Sequence, residues 1–171
     1  RLMQPDGSHA EQILFFATHE LTETDTRLFR HYSRQLRAAE TPAVLSVALF
    51  EAGRDAVTAD GAASAAVEAS VWRWGDTALR NALPNLATAM DRHPGLAATP
   101  DANHRRYYWF TASLLLWNMS FGAAYPRARF WWRIEPDVAF SGYWADFLRA
   151  VRRGDGRRPA DVCVCLPLEF R

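Results

Sequence analysis

At 171 residues with a formal net charge of +1, the chain has the length of one ordinary domain and can bury about 68–70% of its unfolded surface without staples. The balanced charge argues against a dedicated nucleic-acid binder, which carries a clear basic excess. Every basic residue is Arg and none is Lys, which excludes a Gly-Lys-Ser/Thr phosphate clamp and Schiff-base chemistry.

After a polar lead-in over residues 1–11, Ile13 to Ala17 is a continuous apolar run, as expected of a strand covered on both faces. Thr18-His19-Glu20 ends it. Thr22 with Asp25 reads as a helix start, and Leu28, Phe29, Tyr32 and Leu36 recur at helical spacing to about Ala39. Thr41-Pro42 breaks the helix, and Val44 to Phe50 is a second buried-type strand. Strand, helix and strand at this length form a βαβ unit with a parallel pair.

Residues 52–70, rich in Ala, Gly and Asp, read as a loop or weak helix. Val71 to Trp74 is a short strand, and Asp76 to Asp91 a helix interrupted at Pro84. His93 to Asn103 reads as a loop, and Arg105 to about Ala123 as a long apolar helix. Its uncharged stretch from Tyr107 to Tyr125 approaches the length of a membrane span, about 20 residues, but polar residues within it favour a core helix on the sheet. Asn118-Met119-Ser120 is a formal glycosylation sequon, expected to be unused inside such a helix.

Phe130 to Ile134 is an aromatic strand-like run that ends in Glu135-Pro136-Asp137 and is followed by the apolar Val138 to Phe140. A helix from about Tyr143 to Arg153, a turn at Gly154-Asp155-Gly156 and a strand near Asp161 to Leu166 complete the chain. Cys163 and Cys165 read as buried thiols on one face of that strand. The first residue is not Met and the chain stops just after the last strand-like run, which reads as a portion of a longer protein. Any membrane attachment is then expected through a segment outside this chain. The whole reads as one α/β domain over 1–171, a Rossmann-like, mixed, mostly parallel sheet flanked by helices.

The acids carry the chemistry. Charge between two apolar runs is costly unless paired or metal-bound, and Pro136 stiffens its presentation. Two hard oxygen ligands at a strand end suit Mn²⁺ or Mg²⁺ bridged to a diphosphate. Glu135 and Asp137 are therefore the candidate metal ligands; the bland alternative is a strand end with solvated acids.

Thr18, His19 and Glu20 stand at a strand's carboxyl end, where open α/β sheets bind ligands; a plain strand–helix junction serves equally well. His19-Glu20-Leu21-Thr22-Glu23 has Glu where a zinc-protease helix needs a second His. Arg105, with Arg106, could hold a diphosphate bidentately. Arg133 reads first as the internal partner of a carboxylate and completes the candidate cofactor-binding set. Arg27, Arg30, Arg34 and Arg37 share one helical face, read mainly as a solvated surface. Tyr143 and Trp144, just past Gly142, are candidates for stacking on a sugar ring.

The segment Tyr125 to Phe140, reading YPRARFWWRIEPDVAF, resembles the fungal Golgi α-1,2-mannosyltransferases, which carry a Tyr-Trp-Arg-Val-Glu-Pro-Asp/Asn-Val element. The matching positions are Trp132, Arg133, Glu135, Pro136, Asp137 and Val138, and Trp117-Asn118 is a loose counterpart of an upstream aromatic helix. The close match covers about 15–20 residues of the chain. The resemblance implies a glycosyltransferase-A type fold, incomplete at its C-terminus, in which the acidic tripeptide replaces an Asp-x-Asp motif. It implies a nucleotide-sugar donor, a glycan or glycoprotein hydroxyl acceptor, and residence in the Golgi lumen of the secretory pathway. After Asp137 the chain departs from that family, so mannose itself is not implied. The family's metal-ligand His and acceptor-side carboxylate lie further toward the C-terminus than this chain reaches. No residue here reads as the catalytic base. The alternative is a non-catalytic nucleotide-sugar-like binding domain or a structural α/β domain.

Overall fold

In the computed structural model residues 9–93, 102–135 and 140–153 are described, with 102–111 and 151–153 described by backbone alone. The expected turn at 154–156, the strand at 161–166 with its two cysteines, and Asp137 lie outside the described residues.

Seven consecutive buried residues make β1, Gln12–Thr18. It pairs in parallel with β2, Ala43–Phe50, from Gln12↔Ala43 to Thr18↔Leu49. Both are apolar at nearly every position because helices cover both sides. Between them runs α1, Glu23–Ala38. Its start is a capping box, as Thr22 and Asp25 foretold: the Asp25 N–H donates to Thr22 Oγ1 at 3.1 Å, and the Thr22 N–H donates to Asp25 Oδ2 at 3.0 Å.

The segment 52–70 is more ordered than its composition indicates. It contains a two-residue strand β3, Thr58–Ala59, and a helix α2, Gly61–Val67, capped by Asp60. Low side-chain bulk hides the helix from an apolar count, but the Asp60 carboxylate accepts the Ala63 N–H at 3.0 Å and starts it. β4, Ser70–Trp74, adds to β2 in parallel, and β3 pairs antiparallel on its far side. Pro84 divides the next helix as expected, giving α3, Asp76–Ala82, and α4, Pro84–Arg92. The long helix α5, Ala102–Phe121, begins three residues before Arg105, inside the expected loop. β5, Phe130–Ile134, returns to pair in parallel with β1, and α6, Trp144–Arg153, follows.

The sheet order is β3-β4-β2-β1-β5. The fold is thus α/β with a mostly parallel mixed sheet between two helical layers. Strand alternation splits the core. Ile13, Phe15, Ala48, Trp72 and Trp74 face α3, α4 and the Ala112, Leu116 and Trp117 stripe of α5. Leu14, Phe16, Leu45, Val47 and Val71 face Phe29, Tyr32 and Leu36 of α1, with Trp144 and Leu148 of α6. Among the described residues no helix is long and apolar enough to cross a membrane. The outer side of α5 nevertheless leaves Leu115 and Met119 more than half exposed, and Asn118, expected inside, is exposed with them.

Candidate functional site at the sheet's switch point

The chain builds outward from β1 to β2 to β4, then crosses the sheet and lays β5 on the other side of β1. The helices that follow β1 and precede β5 lie on opposite faces. Such a reversal opens a crevice at the carboxyl ends of the two strands, where open α/β sheets take their ligands. The β1–β5 ladder ends at Phe16↔Ile134. The next residues along the two strands are Ala17 and Glu135, so Thr18-His19-Glu20 and Glu135, more than a hundred positions apart, stand at the same carboxyl-end edge of the sheet.

Thr18 is buried and its hydroxyl donates to the Glu20 carbonyl at 2.7 Å, while the Glu20 N–H returns to Thr18 Oγ1 at 3.3 Å. This small turn ends β1 and commits the Thr18 side chain to the backbone. His19 and Glu20 are left exposed at the rim. Arg133 donates to Glu135 Oε1 two residues on, so Arg133 is the carboxylate partner that its position indicates. The Glu135 side chain keeps 43% exposure beside this ion pair. Arg105 lies near the start of α5. Among the described residues no group of three or more His, Cys, Asp or Glu is gathered as a metal cage. Of the two predicted metal ligands, Glu135 stands at the end of β5 and Asp137 lies outside the described residues.

One of the two sugar-stacking candidates is corrected. Trp144 is buried, with its ring edge-on to Tyr32 at 5.5 Å. Tyr143 is exposed, but its hydroxyl donates to the Gln35 carbonyl of α1 at 3.3 Å. Both fasten α6 to α1, because a tryptophan one residue into an amphipathic helix is spent on the helix–helix contact.

The arginine face of α1 is also not simply solvated. Arg34 donates to Glu68 Oε1 through Nε at 3.0 Å, Arg37 reaches Glu68 Oε2, and Arg30 Nε donates to the Ala66 carbonyl at 2.8 Å. These contacts tie α1 to the end of α2, and Arg27 pairs with Glu23 on its own helix. The Glu68 carboxyl is pulled down to about 2, chiefly by the hydrogen bond from Arg34. A second network stands at the ends of β2 and β4. Glu51 takes Arg54 at 2.9 Å and Arg73 at 3.5 Å, and Arg73 Nε donates to Asp60 at 2.7 Å. Hydrogen bonds hold both acids below the ordinary carboxylate range, from Arg54 for Glu51 and from the Ala63 N–H for Asp60. Sequence reasoning missed this network. Asp60 ahead of Gly-Ala-Ala was a readable cap and Arg54 stands three residues after Glu51, but nothing local marks Glu68, or Arg73 as the second partner of Glu51.

The strand order defines an α/β domain with a switch point between β1 and β5 and an acidic, arginine-paired end to β5. Comparison with family models, with curated proteins and with solved structures finds no match for this chain.

Proposed function

We propose that this chain is the nucleotide-sugar-binding part of a metal-dependent glycosyltransferase of glycosyltransferase-A type, which transfers a sugar to a hydroxyl of a glycan or protein acceptor. The observation that carries this reading is the strand order. It brings Thr18-His19-Glu20 and Glu135 to one carboxyl-end edge of the sheet, and a nucleotide site at that edge is what the reading requires of an open α/β sheet. The resemblance of Trp132 to Val138 to the mannosyltransferase element points to the same strand end.

In this reading His19 and Glu20 contact the nucleotide from the end of β1. Glu135 and Asp137 would hold Mn²⁺ or Mg²⁺, with Arg133 orienting the Glu135 carboxylate through its hydrogen bond. A bound divalent ion would supply Lewis-acid neutralisation of the departing nucleoside diphosphate. Arg105 offers a guanidinium for a phosphate oxygen. The Arg133–Glu135 pair also favours a second reading, a non-catalytic α/β domain in which the acid is already satisfied.

Calorimetric titration of GDP and UDP, with and without Mn²⁺, separates the two. The glycosyltransferase reading expects binding of one nucleotide that requires Mn²⁺ and is lost in Asp137→Ala and in Glu135→Ala. Absence of binding to either nucleotide by the folded chain would favour the structural domain.

A further inference from the structure

We propose that Asn118, on the outer side of α5, carries an N-linked glycan. The inference goes beyond the activity and rests on the secretory-pathway residence that the mannosyltransferase resemblance implies.

Asn118-Met119-Ser120 is the single Asn-x-Ser/Thr triplet in the 171-residue chain. A core helix would have hidden it, but the structure turns it outward. Ala112, Ser113, Leu116 and Trp117 of α5 are buried, whereas Asn118, Met119 and Ser120 are exposed together. Leu115 and Met119, at 53% and 60% exposure, are the aliphatic side chains of the described residues left most open to water. Leu115 lies one turn before Asn118 on the helix surface, and Gly122 lies one turn after. Gly122 presents no side chain there, and the Asn118 amide oxygen occupies the space where a Cβ would stand. A bulky, solubilising glycan at Asn118 therefore has room, and it lies beside an apolar pair that otherwise faces water.

The donor is an oligosaccharide carried on a lipid diphosphate, and the cell's oligosaccharide transferase joins the two. Asn118 Nδ2 attacks the anomeric carbon. The N–C bond forms, the bond from that carbon to the diphosphate oxygen breaks, the lipid diphosphate leaves with the electron pair, and the amide proton passes to a base of the transferase. In the folded helix the Ser120 hydroxyl donates to the Leu116 carbonyl at 2.9 Å, so the triplet is read before α5 closes. The order of synthesis permits this. Trp117 seats on Tyr125 at 5.1 Å and on Trp131 at 5.0 Å, and both partners follow the triplet in the chain. A helix draws most of its stability from such packing, so the triplet emerges open and folds with its asparagine outward.

Two samples test the site by mass spectrometry: the chain secreted from a eukaryotic cell behind an appended signal peptide, and the full-length protein from cells that make it. We expect one glycan on each. Peptide N-glycosidase removes it and converts Asn118 to Asp. Asn118→Gln and Ser120→Ala abolish it completely, Ser120→Thr retains it, and the exposed positions leave the melting curve unchanged. A secreted, folded wild-type chain without the glycan overturns the inference and leaves secretory residence standing. A glycan that persists in Asn118→Gln overturns it as well. A glycosylated secreted chain beside an unmodified full-length protein overturns the modification in the cell, and traces the failure to the compartment rather than to the site.

Discussion

Gly75 sits where β4 leaves the sheet, and the turn after β2 closes over it. A Cβ at this position would run into the carbonyl oxygen of Glu51 and the backbone of Arg54. The close approach is what lets the Glu51 N–H reach the Trp74 carbonyl at 2.8 Å and the Ala78 N–H reach the Arg54 carbonyl at 3.0 Å. Gly75→Ala is expected to cost about 1–3 kcal/mol, the usual range for overpacking, read as a lowered urea midpoint at unchanged slope. Glu68 makes the opposite use of backbone freedom. It holds a left-handed φ of 56° that a glycine would adopt freely. The conformation aims its carboxylate at Arg34 and Arg37 and ties α2 to α1. From the sequence Glu68 was one acid in an Ala-rich stretch, because its partners lie more than thirty positions upstream.

At the scale of elements, α1 is the best-signalled piece of the chain. Its cap, its apolar stripe and its end at Ala39 all follow from local chemistry. Thr22→Ala removes the side-chain acceptor for the Asp25 N–H and is expected to cost about 1 kcal/mol of stability, the typical value for a lost cap. Chemical denaturation measures it, and the sheet core should be left intact. The long helix α5 behaves differently. Apolar residues surround it, so the sequence could say that it is a helix but not which side it buries. The sheet decided that, through Phe15 and Trp131 packing on Trp117. The same limit explains Trp144. Its aromatic ring suggested a sugar platform, and only the packing of α6 on α1 shows the ring inside the core. Helix α2 was left open between loop and weak helix because its short, Ala-rich run carries too little apolar surface to write a period.

For the whole molecule, acid is the informative stress. Glu51, Asp60 and Glu68 all ionise more readily in the folded chain than ordinary carboxylates do, each because an arginine or a backbone N–H bonds the charged form. A folded pKa below the unfolded one means that the unfolded chain takes up protons first. The stabilisation is complete above the ordinary carboxylate range and is lost as pH falls toward about 2 for Glu68. The melting temperature should hold near neutrality and then decline through the acid range. The difference between wild type and Glu68→Gln, present at neutral pH, should close as the Glu68 carboxyl protonates. A constant difference down to acid pH would show that Glu68 acts through its backbone conformation and not its charge.

The sequence by itself determined the βαβ start, the buried parallel character of β1 and β2, the cap of α1 and the acidic end of β5. Each of these is written in neighbouring residues, as continuous apolar runs, helical spacing or a capping pair. Strand order was decided only in three dimensions, and with it the placing of Glu135 at the same sheet edge as Thr18 and of Glu68 under Arg34 and Arg37. The physical reason is that periodicity records which face a segment buries. Which segment covers that face depends on burial summed over the whole sheet, and a strand such as β5 carries no local mark of its partner.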